Sequence, residues 1–137
     1  MRKYIITPAL LAIVCMVMCH CTFNRKASVA ANEYLIQGEL ANLPDSIVIG
    51  LYEEDGNILN CVLRDTLMNG QFSFRDTVST TRKMLIMSDN RGFPGTWLEV
   101  WIAPGEYIEI KGQDKLVKTW EVVSDLSLIH ISEPTRR

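Results

Sequence analysis

Positions 61–78 read CVLRDTLMNGQFSFRDTV, two alternating runs of apolar and polar residues around Met68-Asn69-Gly70. Phe72 and Phe74 fall on one side of the second run, Ser73 and Arg75 on the other, which is the period of two of a half-buried strand. Asn and Gly tolerate positive φ, so the segment predicts strands over 61–67 and 71–78 joined as a hairpin. The same period recurs on both sides. Residues 34–40 (YLIQGEL) and 46–53 (SIVIGLYE) precede it, with Ile47, Ile49 and Leu51 on one face. Residues 83–87 (KMLIM), 97–102 (WLEVWI), 107–111 (YIEIK) and 118–123 (KTWEVV) follow, separated by the loop 89–95 (DNRGFPG) and the turn 103–106 (APGE). No window after the N-terminus carries a helical stripe. Seven or eight short strands with turn signals about every ten residues predict an all-β chain, an antiparallel β-sandwich over 33–125 with room for one core.

The N-terminus has a different composition. Arg2 and Lys3 precede an apolar run to Met18, too short to cross about 30 Å of hydrocarbon as a helix, and polar residues follow. Residues 1–21 therefore read as a lipoprotein signal peptide and 22–32 as a tether. Cys21 stands at the break in polarity and is the expected site of lipid attachment, with Cys19 the rival and Cys15 too deep in the apolar run. His20 and Met18 depart from the usual residues before such a cysteine, which keeps cleavage at 27–31 (ASVAA) and an uncleaved anchor open as competing readings. Cys19-His20-Cys21 offers fewer ligands than a zinc site needs, in a segment due for removal or acylation, so no metal is expected.

Residues 22–125 carry ten Lys and Arg against fifteen Asp and Glu, a formal charge of −5. That balance argues against nucleic acid as a partner, which requires a basic stripe. Cys61 is the only cysteine after position 21, so no disulfide scaffold is available, and it reads as a small buried apolar residue. At the other end, residues 126–136 (LSLIHISEPTR) read as translated transposase-adapter DNA from library preparation, and Arg137 fits the next codon. The native frame is then expected to run on past Asp125, and His130 is no ligand or base. The competing reading is a further strand through Leu126, Leu128, Ile129 and Ile131, closed by Glu133-Pro134.

Tyr34-Leu-Ile-Gln-Gly38, Asp65-Thr66 followed by Asn69-Gly70-Gln-Phe-Ser-Phe74, and residues 102–112 (IAPGEYIEIKG), with 120–124 (WEVVS) after them, carry a family resemblance. In their order and spacing they resemble the N-terminal β-sandwich domain of unknown function of Gram-negative envelope thiol–disulfide oxidoreductase lipoproteins. The resemblance covers about 33–125. It implies a cell-envelope protein, lipid-anchored and periplasm- or surface-facing, whose partners are the membrane and either a client protein or a downstream redox domain. That domain, thioredoxin-like and of the TlpA or peroxiredoxin type, would bear a C-x-x-C pair beyond Asp125. Cys61 has no second thiol at that spacing and no electropositive setting in the sequence, so the sandwich itself is expected to be non-catalytic and free of cofactors. The alternative is a stand-alone sandwich lipoprotein that binds a ligand or surface partner.

Other side chains that could carry chemistry have plainer roles in a small sandwich. Trp97 and Trp101 flank Glu99 at alternate positions and could stack on sugars or peptides, but in a small sandwich they are expected to pack. Glu53-Glu54-Asp55 with Asn57 lacks the spacing of a calcium loop and predicts a solvated hairpin turn. Glu99, Glu106 and Glu109 are expected on a solvent face rather than as a paired acid and base. No G-x-S-x-G elbow is present.

Overall fold

The alternating runs pair into two four-stranded sheets in a computed structural model that describes residues 27–124. The signal segment, Cys19, Cys21, most of the tether, Asp125 and the tail 126–137 lie outside the described residues. The strands are β1 (Glu33–Leu40), β2 (Val48–Asp55), β3 (Ile58–Thr66), β4 (Gln71–Thr77), β5 (Arg82–Met87), β6 (Leu98–Ile102), β7 (Tyr107–Gly112) and β8 (Glu121–Ser124), with one 3-10 turn at Val117–Thr119. One sheet runs β4-β1-β7-β8 and the other β3-β2-β5-β6. The all-β sandwich expected from the alternation is therefore the fold.

Three expectations need correction. The strands at 61–67 and 71–78 do not form a hairpin. The tight turn is there, with Asn69 at φ 51° and Gly70 at φ 75°, and Met68 and Gln71 exchange backbone bonds of 2.9 and 3.1 Å. Its flanking strands, however, belong to different sheets, because the fully buried Leu67 carries the chain across the core before the turn. Turn residues fix the local backbone but not the sheet that each arm joins.

Pairing is also not wholly antiparallel. β1 and β7 run parallel, Leu35 opposite Tyr107 through Leu40 opposite Gly112. The chain visits the whole second sheet between them, and that excursion supplies the long crossover a parallel pair requires. Lastly, 118–123 is not one strand. Val117–Thr119 turns as 3-10, and Trp120 buries its ring with Nε1 donating to Asp114 O at 2.9 Å before β8 begins.

The core is the meeting of the two inner faces. Ile36, Leu40, Phe72, Phe74, Ile108 and Ile110 of the first sheet pack on Ile49, Leu51, Met84, Ile86, Val100 and Ile102 of the second. Phe72 lies where a side chain at Gly38 would be, since a Cβ there would sit 1.9 Å from its ring. That close approach requires glycine.

Candidate functional site

With the inner faces committed to the core, sites must lie on outer faces, edges or loops. The outer face of the β2 sheet holds most of the chemistry. Register places Cys61 of β3 opposite Tyr52, Tyr52 opposite Leu85 of β5, and Leu85 opposite Glu99 of β6. The next row runs from Leu59 opposite Glu54 to Lys83 opposite Trp101. Leu85 and Tyr52 are only 2% and 6% exposed despite their place on an outer face. Polar and aromatic side chains surround this small second cluster.

Tyr52 anchors it. Its ring fills the space above Gly50, where a Cβ would lie 2.4 Å away. Its hydroxyl donates to Asp89 Oδ2 at 2.7 Å, which ties β2 to the loop after β5. Ser88 Oγ donates to Val48 O at 2.7 Å, and Val48 N donates to Asn90 Oδ1 at 3.0 Å, fixing the same loop. Burial, then the hydrogen bond to Asp89, push the Tyr52 phenol up to about 12. It is a neutral donor at physiological pH and no base.

Lys83 Nζ contacts Glu54 Oε2 at 3.2 Å and Glu99 Oε1 at 3.9 Å, while Arg82 pairs with Glu53 at 3.0 Å. These bonds hold the acidic end of β2 against β5. The run Glu53-Glu54-Asp55 accordingly closes into the solvated hairpin turn that its composition predicts, at Gly56-Asn57.

Three residue-level expectations fail. Trp97 and Trp101 do not pack in the core: they are 45% and 46% exposed. Trp101 is on the outer face of an edge strand, so no second sheet covers it, and Trp97 precedes β6 in the same alternation. Cys61 is not buried either. It is exposed on β3, another edge strand, and Arg64 Nε donates to its Sγ at 3.1 Å, a cationic neighbour that sequence spacing did not reveal. Glu106 does not face solvent. It is 2% exposed, and Ser124 Oγ donates to its carboxylate. The signal for this was its parity, since 106, 108 and 110 share one face and Ile108 and Ile110 face the core. Glu109, of opposite parity, points outward and pairs with Lys111 at 3.1 Å, while Glu99 is exposed as expected.

The outer face of the β1 sheet carries a shallow polar depression of about 490 Å³, lined by Gln37, Asn69, Gln71, Ser73, Tyr107 and Glu109 among others. Tyr107 Oη donates to Gln37 Oε1 at 3.0 Å across it. Among the described residues no group of three or more His, Cys, Asp and Glu converges as a metal site. Both histidines, His20 and His130, lie outside the described residues. Compared with protein-family models, curated proteins and solved structures, the chain matches none.

Proposed function

We propose that the sandwich is the non-catalytic accessory domain of a lipid-anchored envelope thiol–disulfide oxidoreductase, acting as a docking platform for a protein partner. The carrying observation is the placement of exposed apolar groups. Trp97, Trp101, Leu59 and Val62 stand on or beside the edges of one sheet, around the buried Tyr52–Leu85 pair, rather than inside a cleft. Grouped exposed aromatics favour contact with another macromolecule over turnover of a small substrate. The chain path agrees with this role. Glu33 at the start of β1 accepts from Gly105 N, and Ile108 at the start of β7 is opposite Ser124. The start of the first described strand and the end of the last thus flank β7 at one end of the sandwich, which supports a tether entering and a further domain leaving on the same side. The polar depression on the β1 sheet favours a second reading, a stand-alone lipoprotein that binds a small polar ligand.

Sequencing the source gene across codon 125 tests the choice. Continuation for well over a hundred codons, with C-x-x-C in a thioredoxin-like pattern, is the expected result. A stop within a few codons selects the stand-alone reading, and LSLIHISEPTRR in the native DNA overturns the reading of the tail. Anchoring is tested separately: Cys21→Ser should abolish incorporation of labelled palmitate, and persistent labelling would move the lipid to Cys19.

A further inference from the structure

The edge strands of the sandwich are not treated alike. On one side β3 runs beside β4, and edge amides there are occupied by side chains. Leu67 N donates to Ile47 O and Val78 N to Asn32 O. The alternate residues Thr66, Ser73 and Thr77 therefore turn their N–H groups away from the neighbouring strand. Asp65 accepts Thr66 N through Oδ1 and Ser73 N through Oδ2, both at 2.8 Å. Asp76 Oδ1 accepts Thr77 N at 2.7 Å. Three amides that could template another chain are closed in this way.

The opposite side holds β6 and β8. β8 is four residues long, whereas β6 has five and, among the described residues, no side-chain cap on its backbone. Exposed Trp97 just before the strand, and exposed Glu99 and Trp101 on it, follow one another at alternate positions. We propose that β6 receives an extended basic segment of another protein, which adds to the β2 sheet as a fifth strand. This rests on the docking reading above and gives the partner a chemistry.

Charge selects the occupant. Glu99 meets Lys83 only at 3.9 Å, and Lys83 is closer to Glu54, so the Glu99 carboxylate keeps acceptor capacity toward the open edge. A lysine or arginine opposite Glu99 takes that place. Its neighbours two positions away in the added strand stand over Trp97 and Trp101, whose indole faces hold guanidinium groups. Main-chain bonds along the edge supply affinity, and the alternating aromatic–acid–aromatic row supplies selectivity. A second copy of this chain fits less well. Antiparallel pairing of β6 with itself sets Glu99 against Glu99 or against Trp101, with no cation from either strand.

The probe is a capped heptapeptide in which arginine alternates with threonine, with a glutamate–threonine peptide as control. Binding to the full chain, kept soluble in non-ionic detergent, is followed by tryptophan fluorescence and by hydrogen exchange of the β6 amides. The arginine peptide is expected to bind in a salt-sensitive manner and to slow exchange along Leu98–Ile102, and the glutamate peptide to do neither. Glu99→Lys should weaken binding roughly tenfold, and Trp101→Ala by a similar factor. Ile58→Thr, at the exposed start of β3 on the opposite edge, should leave it unchanged. Failure of the arginine peptide to bind, protection confined to β3 or β4, undiminished binding by Glu99→Lys, or a homodimer with protected β6 amides would each overturn the proposal. The gene continuation is read independently, so loss of the oxidoreductase parent and loss of the β6 site are separate results.

Discussion

Tyr52 faces outward from its sheet and yet behaves as core, because its ring closes over Gly50 and its hydroxyl is held by Asp89. Tyr34 is buried on the inner face, and burial, followed by the nearby Asp76 carboxylate, likewise raises its phenol to about 12. The folded state therefore binds both phenolic protons more tightly than the unfolded chain, whose tyrosines titrate near 10. The stability tied to those protons is complete below pH 10 and is lost as pH rises through about 12. Tyr52→Phe should lower stability near neutral pH by about 1 kcal/mol, the worth of the lost bond to Asp89. It should also make the loss of stability between pH 10 and pH 12 shallower. Urea denaturation at pH 7 and pH 11 measures both effects, and an equally steep alkaline loss in the variant would overturn the assignment. At this scale the sequence was a partial guide. Parity correctly placed Phe72, Phe74, Ile108 and Ile110 inward, and applied one step further it would have placed Glu106 there too. The exposure of Cys61, Trp97 and Trp101 was not legible, because it depends on which strands are edges, and the alternation of a strand does not carry that information.

At the scale of elements, Asp65 joins two strands from different sheets. One oxygen caps its own strand at Thr66 and the other caps β4 at Ser73, closing the side of the sandwich where the chain crosses between sheets. Asp65→Ala removes both acceptors and should cost about 1–2 kcal/mol, since charge-assisted bonds to exposed amides retain part of their value in water. It should also leave β3 and β4 open to other chains, so that concentration-dependent association appears by sedimentation where the parent shows less. Asp65→Asn keeps one side-chain oxygen and should fall between the two. An association state unchanged in Asp65→Ala would show that these caps do not protect the edge. The same corner marks the limit of reading elements from sequence. Every strand predicted from alternation between 34 and 111 has a counterpart within a few residues. The Asn69-Gly70 turn forms as its residues require, but the sheet membership of its arms is decided by Leu67 entering the core, and the parallel partnership of β1 with β7 by long-range packing.

The molecule as a whole depends on one interior. Neither sheet has an apolar layer of its own apart from the small Tyr52–Leu85 cluster. Ile36, Ile108 and Ile110 face Ile49, Met84 and Ile86, and removing either set exposes the other. The chain also alternates between sheets, because β4 follows β3 across the core and β7 returns to lie beside β1, so each sheet is completed only when the other is in place. These links predict a single unfolding transition shared by both sheets. Ile86→Ala, a truncation at a fully buried position of the β2 sheet, should cost about 2–5 kcal/mol. It should shift the midpoint for the β1 sheet by the same amount. Trp120 gives that second readout, as it is buried against Gly112 and Leu40 of the β1 sheet, while far-ultraviolet circular dichroism follows all strands together. To isolate its signal, Trp97 and Trp101 are replaced by phenylalanine in both parent and variant. If Trp120 fluorescence and circular dichroism then moved by different amounts, the two sheets would be separable units, and a partner added at β6 could be felt by only one of them. Coincident shifts would mean that a strand docked on β6 stabilises the entire sandwich, including the end at which β1 begins.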